Sequence, residues 1–388
     1  MTTRRHALKL LLTPVVMPGL AFASVAAPPE RRFVLIIMRG AMDGLSAVPP
    51  LADPDYGALR GKLALGTAAA ANGALGLDGR FWLHPALAPL YPLYQRQELA
   101  VLHAIASPYR ERSHFDAQNM LETGLGRPGA GNDGWLNRTL VALGADGIRG
   151  IAFTPEMPLV LKGRAPVSNW QPDAGHDTLN EQVERMYGAD PLLGRAFAQG
   201  VAASGVVKAA NVGAPGKRDF PSLAAFAAHT LAAADGPNVA VLEIGGWDTH
   251  VGQGTVKGRL ANALGQLAAG ITSLSSGIGA RWQHTVVAAL TEFGRTAHPN
   301  GTDGTDHGTA TAAFLAGGAV AGGRVIADWP GLSEGALYQK RDLAPTADLR
   351  GLLKGVLGDH LQVTSAALEG QIFPGSGGVK PMQGLIRA

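Results

Sequence analysis

Cysteine is absent from the 388 residues. That excludes disulfides, thiolate metal ligands, a cysteine nucleophile and any nucleophile made by modifying a thiol. Aromatic residues are scarce, at 6%, while glycine occurs 53 times. The balance suits helices packed closely on a sheet and many tight turns. Charge of one sign is not concentrated anywhere. The excess of 33 Lys and Arg over 30 Asp and Glu is carried by Arg4, Arg5 and Lys9, so residues 27–388 are formally neutral. With no basic run left, nucleic acid is not expected as a partner. Beyond residue 26 there is no stretch of about 18 apolar, uncharged residues, so the mature form is not expected to span a membrane.

What the chain does have begins with Thr3-Arg4-Arg5-His6-Ala7-Leu8-Lys9, followed by an apolar run over 10–23. Ala21-Phe22-Ala23 and Ser24-Val25-Ala26 each fit a small-x-small cleavage site. The paired arginines point to a twin-arginine signal over 1–26, and hence to a periplasmic or otherwise exported protein. The apolar run is shorter than the roughly 20 residues a bilayer span needs. Residues 27–388 read as a single domain. The Pro- and Gly-rich stretch within 125–220 is expected to form a cap or insertion over the site, with a helix near 135–143, a strand near 158–161 and a polar helix over 179–187.

The periodicity predicts an α/β fold, with a mainly parallel sheet sandwiched by helices. Continuous apolar runs at 33–38, 99–105, 239–244 and 285–290 read as strands buried on both faces, and 312–315 adds a short one. Between 239–244 and 285–290, Leu260, Leu264, Leu267, Ile271, Leu274 and Ile278 recur at helical spacing. A helix is also expected over 87–93, and another over 114–121 ending at Gly124. Gly124-Leu125-Gly126-Arg127-Pro128-Gly129 has the spacing of a dinucleotide fingerprint but follows a helix and contains proline, so it reads as loop.

Ligands of parallel sheets bind beyond the carboxyl ends of the strands, and polar residues collect there. The segments are Arg39-Gly40-Ala41-Met42-Asp43-Gly44, Arg112-Ser113-His114-Phe115-Asp116, Gly246-Trp247-Asp248-Thr249-His250, Glu292-Phe293-Gly294-Arg295-Thr296 and Gly304-Thr305-Asp306-His307-Gly308. Without thiolates, imidazole and carboxylate remain as ligands for a divalent metal: zinc, manganese or, with oxygen dominant, calcium. Asp248 and His250 flank one residue, so in an extended segment they point the same way. Each side chain alone reads more simply as a hydrogen-bonded loop residue; Asp248, His250 and His307 together read as a site. His84, His176, His229, His284, His298 and His360 lack such company and read as surface or structural, and His103 at a strand end is left open.

These segments resemble a bacterial family of twin-arginine-exported proteins of unknown function, related to the alkaline phosphatase and sulfatase superfamily. The similarity runs over the mature chain to Phe373-Pro374-Gly375. It implies an alkaline phosphatase/sulfatase-like sheet with metal ligands at Asp248, His250 and His307; Asp43 is the nearest acid after the first strand, and Glu292 and Asp306, at neighbouring strand ends, are expected to touch the metal or to stand just behind its ligands. It also implies a nucleophile at Ser113, with His114 and Arg295 beside it, acting on an anionic phosphate or sulfate ester. Two departures stand out. Arg39 follows the first strand where the superfamily has an aspartate, and Glu292-Phe293 replaces an Asp-His pair. Two functions follow: an exported metal-dependent ester hydrolase in which Arg39, Arg112 or Arg295 holds the anion, or a non-catalytic binding or assembly module paired with a larger exported protein encoded nearby.

Overall fold

A computed structural model describes residues 31–67, 73–144, 150–170 and 219–387. The strands are β1 Arg32–Met38, β2 Leu75–Gly76, β3 Trp82–Leu83, β4 Leu99–Ala106, β5 Gly150–Phe153, β6 Val167–Asn169, β7 Val239–Ile244, β8 Thr285–Leu290, β9 Thr311–Ala316, β10 Arg324–Ile326 and β11 Ala347–Asp348. β2 and β3 form a separate hairpin. The others make one sheet in the order β10-β4-β9-β8-β1-β7-β5-β6, with β11 beside β4. All pairings are parallel except the two that β9 makes, with β4 and β8. The fold is thus α/β, with a mostly parallel mixed sheet and flanking helices.

Alternation along the strands explains the two layers. Val34, Ile36 and Met38 join a core with the helices Phe220–Ala232 and Arg259–Ile278. Phe33, Leu35 and Ile37 join the opposite core with Trp135–Ala142 and Leu349–Leu361. Side chains alternate across a strand, so a run with no polar residue serves both faces at once. Among the described residues no helix is long and apolar enough to cross a membrane.

Several local expectations are corrected. Residues 158–161 form a 3-10 turn, Leu159–Leu161, not a strand; Pro158 just before it has no N–H to give a ladder. The helix expected over 87–93 is split into a 3-10 segment Pro85–Leu90 and a short helix Tyr91–Gln95, with prolines at 85, 89 and 92 each removing a donor. Within 125–220, β5 and β6 extend the main sheet, and 145–149 and 171–218 lie outside the described residues. The helix expected over 179–187 lies outside the described residues, as do 1–30.

Two buried histidines set an acid limit. His103 Nε2 donates to Val48 O at 3.0 Å, and His360 Nε2 donates to Arg32 O at 2.8 Å. Burial pushes both imidazoles down to about 4 from an ordinary 6.5. Above pH 6.5 both rings are neutral whether folded or not. As pH falls from 6.5 to 4, the unfolded chain takes up protons that the folded one refuses, so stability drops by up to about 3 kcal/mol per ring. Urea midpoints should therefore fall across this window; a flat profile between pH 6.5 and 4 would refute the assignment.

Candidate metal centre

The site is built from loops leaving one edge of the sheet. The register sets Met38 beside Ile244 and Ile37 beside Leu290, so Arg39-Gly40, Gly245–His250 and Thr291-Glu292 emerge together. β9 runs the other way, so the segment before it, 304–310, arrives at this same edge. That segment pairs with the one after β8: Arg295 and His307 form an antiparallel bridge, Gly294 N donates to Thr309 O and Gly308 N donates to Gly294 O, both at 2.8 Å. A Cβ at Gly294 would stand 1.9 Å from Ala310 O, and one at Gly308 2.4 Å from the Arg295 carbonyl group, so only glycine permits this approach. The helix His114–Thr123, after β4, brings the last histidine.

Four side-chain atoms face one another here. His307 Nε2 lies 3.0 Å from His114 Nε2, 2.9 Å from His250 Nε2 and 3.3 Å from Asp248 Oδ1. Asp248 Oδ1 is in turn 3.1 Å from His250 Nε2 and 3.7 Å from His114 Nε2. Thr249, between Asp248 and His250, points inward and is fully buried, as the extended alternation requires.

Every ring has its other nitrogen fixed from behind. His114 Nδ1 donates to Glu292 Oε1 at 2.8 Å, His250 Nδ1 to Asp306 Oδ1 at 2.9 Å and His307 Nδ1 to the Arg112 carbonyl at 3.0 Å. These partners are acceptors, so each Nδ1 carries a proton, and Nε2 is the atom each ring turns toward the centre. The ligand atoms of His114, His307 and Asp248 all lie within 4.8 Å of one another, and His250 Nε2 approaches His307 Nε2 and Asp248 Oδ1 at 2.9 and 3.1 Å; lone pairs brought this close repel unless a positive charge sits among them. The edge of a tetrahedron around an ion with ~2.0–2.1 Å bonds is about 3.3 Å. The donor set and its spacing fit a divalent cation, and the backing carboxylates are the usual companions of metal-bound imidazoles.

The titration shifts agree. Burial works to raise the Glu292 carboxyl, but hydrogen bonds from His114, Gln118 and Thr291 hold it below its ordinary value. Asp248 is likewise held low, against burial, by Arg295, whose Nη1 reaches Asp248 Oδ1 at 2.6 Å. Without a cation, His114 is raised by its hydrogen bond to Glu292, while burial and the neighbouring His114 lower His307. A single proton is favoured on one ring and repelled from the next.

The residues read from sequence thus divide. Asp248, His250 and His307 meet, and His114, read as catalytic, supplies the fourth facing atom. Glu292 and Asp306 stand behind the imidazoles of His114 and His250. Arg295 is fully buried against Asp248 and Thr305. Ser113 precedes His114 at the helix start, caps nothing and lies beside the Tyr109 hydroxyl.

Asp43 stands apart from this cluster. It caps the short helix Gly44–Ala47, which turns its carboxylate inward. Arg60, Ser46 and Gln253 Nε2, the last at 2.7 Å, occupy it. Arg39 pairs with Glu122 and Glu243, and Arg112 with Asp342, so none of the three arginines expected to hold an anion lacks a carboxylate. Arg60 and Gln253 were not legible as partners of the site. Gln253 accepts from Thr249 and Thr305, both at 2.7 Å, which links the Asp43–Arg60 pair to Arg295.

A family model described as "Protein of unknown function (DUF1501)" matches residues 108–372. No curated protein matches the chain. Among solved structures, the zinc complex of the C-terminal periplasmic domain of EcEptC from Escherichia coli is similar at 11% identity, over 76% of this chain and 73% of that one, with a TM-score of 0.36. The phosphonate monoester hydrolase of Agrobacterium radiobacter is similar at 12% identity, over 86% and 74%, with a TM-score of 0.35. Phosphonoacetate hydrolase from Sinorhizobium meliloti 1021 is similar at 11%, over 70% and 57%, with a TM-score of 0.29.

Proposed function

The chain belongs to the DUF1501 family of proteins of unknown function, and on that premise we propose that it is an exported, divalent-cation-dependent hydrolase of phosphate or sulfate esters. One observation carries the reading: His114 Nε2, His307 Nε2 and Asp248 Oδ1 gather within 4.8 Å of one another, with His250 Nε2 2.9 Å from His307 Nε2. His114, His307 and Asp248 would hold the ion, with His250 Nε2 beside them, and imidazole ligation favours zinc over calcium. Such an ion supplies Lewis acidity and lowers the pKa of bound water. Glu292 and Asp306 keep the rings in one tautomer, Arg295 fixes Asp248, and Ser113 is the candidate nucleophile one residue from His114. Asp248 and His250 are 46% and 39% exposed, so the centre opens to solvent and a substrate can reach it.

The test is metal stripping and return. Purified protein should hold about one zinc per chain, lose ester hydrolysis to a chelator and regain it with zinc. Ser113→Ala should keep the metal and stop turnover. A second reading, the non-catalytic module, is favoured by the four protein donors, since closed four-ligand zinc sites are structural. Zinc held without hydrolysis of any phosphate or sulfate ester would select it. No bound cation would discard the hydrolase and leave the module.

Export belongs to the same proposal. Residues 1–26 act as a twin-arginine signal, residues 27–388 act as one domain in the periplasm, and a larger exported protein is the candidate partner. Changing Arg4 and Arg5 to Lys should strand the precursor in the cytoplasm. Undiminished export of that variant would reject the route.

A further inference from the structure

Asn300 stands half-buried in the connection between β8 and β9. Its Nδ2 donates to His250 O at 2.9 Å and to Asp306 Oδ1 at 3.1 Å. Its Oδ1 accepts from Thr302 N and Gly304 N, both at 3.0 Å. An amide has two N–H donors and two lone pairs, so these bonds use it fully. Backbone donors on one side and two oxygens on the other fix which way it points. Asp306 Oδ1 is also the atom that accepts from His250 Nδ1, at 2.9 Å. Asn300 therefore holds His250 twice, directly by its main chain and by its ring through Asp306.

The two segments that meet here are laced along their length. Thr302 Oγ1 donates to His250 O at 2.7 Å, Gly252 N to Thr302 O and Gln253 N to Asp303 O, both at 2.9 Å, and Thr305 N to Thr249 O at 3.1 Å. A Cβ at Gly304 would stand 2.2 Å from His250 O, so no side chain separates the segments at that point. Within this frame His250 Nε2 is kept 2.9 Å from His307 Nε2 and 3.1 Å from Asp248 Oδ1. Donors that close suit an ion with bonds of about 2.0–2.1 Å. Manganese, which prefers octahedral coordination, needs donors that can spread apart and admit water. Resting on the cation reading above, we propose that Asn300 is a positioning residue: it holds His250 against the centre and thereby sets the preference for zinc over ions of higher coordination number.

Asn300→Asp separates closure of the turn from the hold on His250. The retained oxygen still accepts from Thr302 N and Gly304 N, while a second oxygen replaces Nδ2 and faces His250 O and Asp306 Oδ1, which repel it. Competition titrations of zinc and manganese on the full chain should give a zinc-to-manganese affinity ratio at least about tenfold below that of the wild type, the lower end of the effect of changing a group behind a metal-bound imidazole. The added negative charge acts alike on two divalent ions, so the ratio reads geometry and not charge. Asn300→Ser loses the hold without adding charge and should lower the ratio too, and the visible spectrum of the cobalt-loaded protein should change in both variants. A residue that only closes its turn would lower the melting temperature and leave the ratio and the cobalt spectrum as in the wild type, and that result overturns the proposal. The wild-type titration separates the two levels: zinc bound by the wild type with an unchanged ratio in the variants rejects only the role of Asn300, whereas no zinc bound by the wild type rejects the cation centre and this role with it.

Discussion

Replacing His307 by alanine is expected to weaken binding of a divalent cation by at least about a hundredfold while leaving the protein folded. Its Nε2 lies within 3.3 Å of the other three facing atoms, so its loss removes the donor nearest to all of them. The side chain is 26% exposed, so truncation opens little core. Changing carboxylates that merely back a metal-bound imidazole costs about 10–100-fold in affinity, and a facing ligand should cost more. Glu292→Gln serves as the graded comparison, because it alters the partner of His114 Nδ1 and leaves all four facing atoms in place. Zinc titration of His307→Ala, Glu292→Gln and the wild type should rank them in that order, weakest first. Equal affinities, or no affinity in the wild type, would show that the cluster holds no ion. A purely structural polar cluster would instead show a lowered melting temperature in His307→Ala and no change in cation binding.

Asp43→Ala is expected to destabilise the protein by about 3–5 kcal/mol. Asp43 and Arg60 are 1% and 0% exposed and form an ion pair. Arg60 also donates to Ser46 Oγ at 2.7 Å and to the carbonyls of Thr296 and Ala297 at 3.2 and 3.0 Å. Its Nε is already without a partner. Removing the carboxylate leaves a guanidinium in the interior, with carbonyl dipoles but no counter-charge. Asp43 ionises easily in spite of its burial, because Arg60, Gln253 and Ser46 outweigh the cost of desolvation. The double change Asp43→Leu/Arg60→Met should cost less than the single one, since replacing a buried pair by apolar groups is often close to neutral. Urea denaturation of the three proteins gives the cycle. A loss below about 1 kcal/mol in Asp43→Ala would mean that water reaches Arg60. The hydrogen-bonded link through Gln253 and Thr305 to Arg295 adds a second readout: Asp43→Ala should also lower zinc affinity modestly, because Arg295 fixes Asp248.

Much of this molecule is written in local pattern. The runs at 33–38, 239–244 and 285–290 carry no charged residue except Glu243, and only strands buried on both faces accommodate them; all three lie at the centre of the sheet. The apolar stripe from Leu260 to Ile278 became the helix Arg259–Ile278, because a 3.6-residue period admits no other element. Asp248 and His250 were legible as a pair because alternation in an extended segment is a property of the backbone. The split of 85–95 and the turn at 159–161 were missed where proline removed donors that the apolar pattern alone does not register.

The site depended on something that no local pattern contains. His307 lies before its strand, and in a parallel β9 it would have been delivered to the opposite edge of the sheet from Asp248 and His250. The antiparallel direction of β9, between β4 and β8, places it at the centre instead. Strand direction is set by long-range pairing, and the run Thr311–Ala316 reads the same either way. The division of the carboxylates was equally hidden. Asp43, Asp248, Glu292 and Asp306 are alike in sequence, but the protein turns one toward the facing imidazoles, sets two behind rings and buries one on Arg60, which comes from 17 residues further along the chain. The sequence by itself determined which elements form, which edge carries the polar loops and which donor chemistry is available. Only the tertiary structure decided which donors face one another, because that depends on the orientation of neighbouring strands and on partners distant in the chain.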